Sequence, residues 1–249
     1  MQASARPARV GILGGMGPAA TADFYRKLVE ATPASRDQEH IPVLMEADPA
    51  VPDRTAGFLH GGPSPLPWLR KGAKALEVRG AEMLVMPCNT AHLWYEAISQ
   101  QLSIPMVHIV DAVVEDLLDQ LGERATGTLR VGLLGTAATV TGGLYPLRAL
   151  QDHRAAHWRW VLPVQEQQAI LEAGIAAVKG SDPDAGRVLV GQAFDALVQQ
   201  GADAVVFACT EVPLALAGMN LRGVVCSDST AALARCTVRL ATAAGRAPA

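Results

Sequence analysis

Two cysteines, Cys88 and Cys209, end apolar runs and are followed by polar residues that suit proton-transfer chemistry. Cys88 is followed by an asparagine, a threonine and, four residues on, a histidine, whereas Cys209 is followed by a threonine and a glutamate. A free thiol has a pKa of about 8.5, so its surroundings decide whether it accepts or donates a proton. The two motifs therefore predict acid–base chemistry at both thiols.

An internal repeat places both cysteines at the same point of two similar halves. The segment 9–14 recurs 121 residues later as 130–135, and the segment 80–88 recurs with the same offset as 201–209. Two separated blocks that share one offset indicate two copies of one structural unit. Each copy has a glycine loop early and a cysteine late.

Short apolar runs alternate with longer amphipathic segments, which predicts an α/β fold with parallel sheets. The predicted strands are 10–13, 43–45, 83–86, 106–109, 131–134, 204–208 and 224–225. Helices are predicted from Pro18, over 66–79 before Gly80, over 91–101, from Pro183 to Gly201 and over 229–244.

The repeat also predicts where the two thiols lie relative to each other. Ligands of parallel α/β sheets bind beyond the carboxyl ends of strands. We expect a first lobe of residues 1–110 plus 226–249, with the last helix crossing back, and a second lobe of residues 111–225. A pseudo-two-fold axis would place the thiols on opposite sides of the cleft. Racemisation needs this geometry, because one group removes the α-proton and another protonates the opposite face.

The neighbours of the thiols predict opposite resting states. A helix start after Cys88 and a positive charge on His92 would favour the Cys88 thiolate. The carboxylate of Glu211 would keep the neighbouring Cys209 protonated, although a solvated charge at a helix start explains Glu211 equally well. Asn89 and the residue after it offer hydrogen-bond donors to a carboxylate.

Other candidate residues have simpler structural explanations. Cys226 and Cys236 have no partner in the repeat and are expected to fill the core. Thr136 and Thr139 lie in the second-half counterpart of the glycine loop, where both would serve as helix N-caps. No zinc-binding spacing, P-loop or serine nucleophile elbow occurs in the sequence.

The glycine loop of the first half follows a predicted strand and opens a helix. Its pattern Gly15-x-Gly17-x-x-Ala20 matches a dinucleotide-binding fingerprint. However, Pro18 removes a backbone N–H group that a pyrophosphate would need. We therefore expect a tight loop beside the cleft, with Met16 in a supporting position.

Composition favours a small soluble ligand. The 249 residues carry 21 Lys and Arg against 24 Asp and Glu, a net charge of −3, without a basic stripe for nucleic acid. The first apolar stretch breaks at Gly14 and Gly15, too early for a signal peptide or a membrane span. The four cysteines lack paired CxxC spacing, so we expect reduced thiols and a cytoplasmic protein.

Taken together, the motifs resemble the aspartate racemase family of the aspartate/glutamate racemase superfamily over nearly the whole chain. They are 11–21, 41–42 with 52–55, 87–92, 132–134 with Thr136, Thr139 and Tyr145, 165–167 leading to Lys179, and 209–211. The resemblance implies two Rossmann-like domains, an active site in the cleft between them, no pyridoxal phosphate, no metal and a homodimer. Ala208 departs from the glycine that is frequent before the second cysteine, which would narrow the pocket.

The resemblance also implies roles for single residues. Cys88 and Cys209 correspond to the catalytic pair, and Arg54 with Lys179, which on spacing alone are ordinary surface charges, correspond to residues that hold a distal carboxylate. Thr210 is a further candidate for substrate binding. The α-carboxylate is held at the positions that match Asn89, Thr90 and Thr136. Supporting roles are expected for Met16, His92, Thr139 and Glu211.

These residues predict a cofactor-independent racemase that interconverts L- and D-aspartate with two cysteines as the bases. Each sulfur would lie about 3 to 3.5 Å from the α-carbon, so the sulfurs would be roughly 6 to 7 Å apart. Alternatives within the superfamily are a racemase of glutamate or another amino acid, a hydantoin racemase, a maleate isomerase or a malonate decarboxylase. Outside it, a dinucleotide- or carboxylate-binding protein would not explain a cysteine at the same place in both halves.

Overall fold

The computed structural model describes residues 6–221 and 223–244, which form two β-sheets with helices around them. The first sheet consists of β1 (Val10–Gly14), β2 (Val43–Ala47) and β3 (Met83–Val85), in the order β2-β1-β3. The second consists of β4 (Arg130–Gly135), β5 (Arg159–Val161), β6 (Ala204–Ala208) and β7 (Val225–Asp228), in the order β5-β4-β6-β7. All of these strand pairs are parallel, which confirms the predicted fold class.

The helices follow the strands as the sequence punctuation predicts. Pro18 and Pro183 occupy first turns, and Gly80 and Gly201 follow helix ends with φ of +92° and +84°, a conformation that favours glycine. The α-helices are α1 (Pro18–Ala31), α2 (Arg54–Leu59), α3 (Leu66–Val78), α4 (Tyr95–Ser99), α5 (Ile109–Leu121), α6 (Ala137–Thr141), α7 (Leu144–Ala149), α8 (Gln165–Lys179), α9 (Pro183–Gln199), α10 (Glu211–Ala215) and α11 (Ser229–Ala244). Short 3-10 helices cover Asp37–Glu39, Thr90–Trp94 and Gly122–Thr126.

Two local predictions differ from the structure, and one strand was not predicted. The predicted strand 106–109 is wrong: Met106 forms an isolated bridge to Leu84, and the chain enters α5 at Ile109 because the His108 side chain caps that helix. The predicted helix 91–101 is a 3-10 helix followed by the short α4. The edge strand β5 was missed because it has three residues and only its last is buried.

One hydrophobic core connects the two sheets. It includes Ile12 from the first sheet, Leu133 from the second, Val113 from α5 and Leu233 from α11, all fully buried. The last helix α11 packs both against α1, which follows β1 of the first sheet, and against α5, the last α-helix before β4 of the second sheet.

The predicted lobe boundary at residue 226 falls inside β7, which pairs with β6. Residues 225–228 therefore belong to the second sheet, and the chain leaves that sheet only at α11. Apart from this boundary, the predicted division into two lobes stays a prediction, and its parts at 1–5, 222 and 245–249 lie outside the described residues.

Candidate active site

Cys88 and Cys209 each lie just beyond the carboxyl end of a buried strand. The turn after β3 contains a 2.8 Å hydrogen bond from the Cys88 N–H to the Met86 carbonyl oxygen. Cys209 directly follows β6, and α10 begins two residues later. The two thiols occupy corresponding positions in the two sheets, as the sequence repeat predicts. In the first sheet β1 pairs with β3, and in the second sheet β4 pairs with β6 in the same way. Both thiols are buried.

Both thiols line one small cavity, together with residues from both halves of the chain. The cavity has a volume of about 20 Å³, which holds about one water molecule. The lining residues are Met16, Asp53, Arg54, Thr55, Cys88, Asn89, Thr90, Thr136, Lys179, Cys209, Thr210 and Glu211.

Ten of these twelve residues are candidates predicted from the sequence. Asp53 and Thr55 were not singled out, although their position on either side of Arg54 in the motif 52–55 was a usable signal. Two predicted supporting residues, His92 and Thr139, are buried behind the cavity and contact residues that line it.

The Cys209 thiol is held in its protonated form. Its Sγ donates a 3.0 Å hydrogen bond to Glu211 Oε2, and the Thr210 hydroxyl donates to the same oxygen at 3.0 Å. Burial raises the pKa of Cys209 well above its ordinary value, the Glu211 carboxylate raises it further, and Lys179 acts in the opposite direction. Cys209 is therefore a neutral thiol in this state, in agreement with the expectation from its acidic neighbour.

His92 does not supply the positive charge predicted beside Cys88. Its Nε2 accepts a 3.2 Å hydrogen bond from the Ile109 N–H, so its proton is on Nδ1, which lies 2.8 Å from the Cys88 carbonyl oxygen. Burial lowers the pKa of His92 to about 4. The ring is therefore neutral near pH 7, and it stabilises the turn that carries Cys88 through hydrogen bonds.

Three threonine hydroxyls connect the two halves at the cavity wall. Thr90 Oγ1 lies 2.9 Å from Thr136 Oγ1 and 3.1 Å from Thr139 Oγ1, and the last two atoms are 3.0 Å apart. Thr136 also caps α6 by accepting from the Thr139 N–H, as predicted, whereas the predicted N-cap at Thr139 is wrong because that residue lies inside α6. Each hydroxyl has one hydrogen to donate, so a carboxylate that enters here can receive a donor only by replacing one of these contacts.

Asn89 is held by partners from two distant parts of the chain. The Tyr145 hydroxyl donates a 2.6 Å hydrogen bond to Asn89 Oδ1, and Asn89 Nδ2 donates a 2.9 Å hydrogen bond to Ser229 Oγ. Tyr145 was predicted only as part of a family motif, and Ser229 was not predicted. No local pattern could have indicated a contact across 140 residues.

Two cations, Arg54 and Lys179, line the cavity. Arg54 begins α2, and its Nη1 donates to the backbone oxygens of Val51 at 3.2 Å and Pro52 at 3.1 Å. Lys179 ends α8 and is exposed at the cavity rim. Neither side chain forms an ion pair within residues 6–221 and 223–244, so both charges can interact with an incoming anion.

The glycine loop that carries Met16 is closed on itself. Thr21 Oγ1 accepts from the Gly15 N–H at 2.9 Å and donates to the Gly17 carbonyl oxygen at 2.9 Å. Gly15 has φ of +90°, and a Cβ there would lie 2.4 Å from the Asp48 carbonyl oxygen. The Gly15 N–H is thus already bonded, which agrees with the predicted tight loop and not with a phosphate-binding one.

A known protein family matches most of the chain, including the whole cavity lining. The model of the Asp/Glu/Hydantoin racemase family matches residues 13–237, a range that contains both thiols and every residue lining the cavity. The chain belongs to the Asp/Glu/Hydantoin racemase family. It is an amino-acid racemase of the Asp/Glu racemase superfamily.

Relatives of this racemase differ in their substrates. Aspartate racemase from Picrophilus torridus has 31% sequence identity and a TM-score of 0.80, with 94% of each chain covered. RacX of Bacillus subtilis, a broad specificity amino-acid racemase, is 29% identical over 92% of this chain and 96% of its own. Glutamate racemase from Picosynechococcus sp. is 28% identical over 63% of this chain and 53% of its own.

The described residues of this racemase meet the requirements of neither a membrane-spanning helix nor a metal site. No helix in 6–221 or 223–244 is long and apolar enough to cross a membrane. In the same part of the chain, no three or more His, Cys, Asp and Glu side chains are grouped in a way that could hold a metal ion.

Proposed function

We propose that this racemase interconverts L- and D-aspartate, with Cys88 and Cys209 as its two bases. The observation that carries the proposal is the cavity that both thiols line together with Arg54 and Lys179. The β-carboxylate of aspartate would provide the two cations with a carboxylate partner, which neither has among the described residues. Arginine can bind a carboxylate through two parallel hydrogen bonds, and lysine adds a point charge from the other half.

The proton transfers balance between the two thiols. The Cys88 thiolate removes the α-proton and becomes a thiol, while the Cys209 thiol protonates the carbanion from the opposite face and becomes a thiolate. The pair carries one proton before and after the reaction. The free enzyme then has its thiolate at Cys209 and can deprotonate the enantiomer that it has just released. In this reverse reaction the two cysteines exchange roles.

Stabilising the carbanion is the difficult step, because an α-hydrogen is far less acidic than a thiol. Asn89 and the hydroxyls of Thr90 and Thr136 are donors around the place proposed for the α-carboxylate, where the enediolate charge develops. They are buried, so hydrogen bonds to that charge are stronger than in water. Thr210, next to Cys209, also lines the cavity, but its hydroxyl hydrogen is donated to Glu211, so it would reach the substrate only after releasing that contact.

A second candidate is racemisation of several amino acids. Asp53 and Thr55 line the cavity beside Arg54 and offer acceptors to a polar or cationic side chain. The similarity to a broad specificity relative supports this candidate. Glutamate fits the aspartate geometry less well, since its additional methylene must fold or displace the α-carbon from the line between the sulfurs.

The deciding experiment is incubation of the purified protein with L-aspartate in D2O. Proton NMR reports deuterium at the α-carbon, and chiral chromatography reports D-aspartate. Glutamate, cysteate, serine and alanine are compared in parallel. We expect kcat/KM for aspartate to exceed that for alanine by about 100-fold. Alanine has no β-carboxylate for Arg54 and Lys179 to hold, so its α-carbon would be placed less precisely between the two sulfurs.

The other outcomes of this experiment are equally informative. Equal efficiency on aspartate, serine and alanine would support the broad-specificity candidate over the aspartate proposal. Absence of deuterium at the α-carbon of all five amino acids would contradict the aspartate proposal and favour a hydantoin racemase, a maleate isomerase or a carboxylate-binding protein.

The proposal also includes a cytoplasmic homodimer that needs neither pyridoxal phosphate nor a metal ion. Its support is the resemblance of the sequence to the aspartate racemase family. Light scattering on the purified protein tests the assembly, and a monomeric mass at micromolar concentration would contradict the dimer.

A further inference from the structure

Three segments that are distant in sequence meet at the Asn89 side chain. Asn89 directly follows Cys88 in the first half, Tyr145 lies on α7 in the second half, and Ser229 is the first residue of α11. The Tyr145 hydroxyl bonds one end of the Asn89 amide, and the Ser229 hydroxyl bonds the other end.

The hydrogen bonds at this junction are protected from water. Tyr145 is fully buried in the core that joins the two sheets, and its ring centroid lies 5.7 Å from that of Trp160 on β5. Asn89 and Ser229 are also almost completely buried. Burial raises the pKa of Tyr145, so its phenol stays neutral and remains a hydrogen-bond donor.

Only one of these three side chains reaches the cavity. Asn89 lines it, whereas Tyr145 and Ser229 lie behind it. One hydrogen of the Asn89 amide nitrogen is used by Ser229, and the second is outside these two contacts. Bonds at both ends of the amide prevent its rotation about the Cβ–Cγ bond, so the second N–H keeps one direction.

We propose that Tyr145 is a positioning residue, which holds Asn89 in the orientation that binds the α-carboxylate of the substrate. It acts through Asn89 and does not touch the substrate. Because Tyr145 belongs to the second half, the amide is fixed only while α7 packs against the turn that follows Cys88. This inference rests on the proposed function, in which Asn89 binds the α-carboxylate.

The test is Tyr145→Phe, which keeps the ring and removes the hydroxyl. The matched control is Tyr95→Phe, which removes a phenol that donates a 2.7 Å hydrogen bond to the Met106 carbonyl oxygen, outside the cavity lining. We expect kcat/KM for aspartate to fall about tenfold in Tyr145→Phe and to change less than about twofold in Tyr95→Phe.

A double-mutant cycle separates positioning from a general structural effect. In an Asn89→Ala background, Tyr145→Phe should change kcat/KM by less than about twofold, because the group that it positions is gone. The same tenfold loss in both backgrounds would overturn the inference. If Tyr145→Phe does not fold, Ser229→Ala removes the other partner of the amide and is tested in the same cycle.

A second readout does not depend on turnover. The side-chain amide of Asn89, assigned in a 15N–1H spectrum by its loss in Asn89→Ala, should shift and broaden in Tyr145→Phe but not in Tyr95→Phe. If this occurs while the wild-type protein fails to racemise any amino acid, the proposed function is wrong and the contact between Tyr145 and Asn89 stands. An unchanged amide signal together with wild-type kcat/KM would overturn the inference itself.

Discussion

Cys209 donates a hydrogen bond of 3.0 Å to the Glu211 carboxylate, and this contact makes the two thiols of the cavity unequal. Burial and the carboxylate both raise the pKa of Cys209. We therefore expect iodoacetamide to alkylate Cys88 faster than Cys209 near neutral pH, since only thiolates react. Peptide mass spectrometry of a time course measures both rates.

Replacing the charged neighbour tests the cause of this difference. Glu211→Gln removes the negative charge, which should lower the pKa of Cys209 and increase its alkylation rate about tenfold per pKa unit. Glu39→Gln, in an exposed ion pair with Arg36, is the control and should change neither rate. Equal alkylation of both thiols in the wild-type protein would contradict the assigned polarity.

Removal of either cavity thiol should abolish racemisation. A single thiol cannot remove a proton from one face of the α-carbon and deliver one to the other. Cys88→Ala and Cys209→Ala should each lower kcat by at least about 1,000-fold, within the range for lost acid–base catalysis. Cys226→Ala and Cys236→Ala should keep wild-type activity in the same chiral assay. Full activity of Cys209→Ala would disprove the two-base reaction.

Arg54 should control the preference for an acidic substrate. Arg54→Ala should lower kcat/KM for aspartate about 100-fold and leave alanine turnover nearly unchanged, so that discrimination between them is lost. Arg54→Lys should restore part of the activity, because one ammonium cannot replace the two-pronged guanidinium. The exposed Arg36→Ala is the control. Unchanged aspartate turnover in Arg54→Ala would refute the role of this residue.

Activity should be independent of added cofactors. We expect racemisation to survive dialysis, a metal chelator and hydroxylamine, and the purified protein to show no absorbance from a pyridoxal Schiff base. The chiral assay before and after each treatment measures this. A loss of activity that added metal restores would show that the thiols do not act alone.

The neutral His92 predicts a loss of stability on acidification. Its pKa is about 4 in the folded protein and about 6.5 when unfolded, so the unfolded chain binds a proton first as the pH falls. Its contribution to the free energy of unfolding should therefore decrease by about 2 kcal/mol between pH 7 and pH 5. Urea unfolding at both pH values measures the change.

The matched comparison uses the histidine variants His92→Gln and His153→Gln. His92→Gln should show a smaller decrease in the free energy of unfolding between the two pH values, whereas His153→Gln should resemble the wild type because that side chain is 94% exposed. An NMR titration of the His92 ring with a midpoint near pH 6.5 would contradict the neutral assignment.

Local pattern alone determined much of the fold and the position of the catalytic candidates. The alternation of apolar runs with amphipathic segments predicted parallel α/β structure, and the 121-residue repeat predicted Cys88 and Cys209 at corresponding strand ends. These inferences succeeded because strand and helix periodicity are properties of neighbouring residues. Arg54 and Lys179, which on spacing alone are ordinary surface charges, became candidates only through the family resemblance, and both line this cavity.

Tertiary structure alone decided the chemistry that depends on burial and on distant partners. The sequence places His92 near Cys88 but does not reveal that complete burial makes the ring neutral. Nothing local links Tyr145 or Ser229 to Asn89, or assigns β7 to the second sheet. A side chain's charge and hydrogen-bond partners are set by the groups that folding brings around it, and here those groups come from segments far apart in the chain.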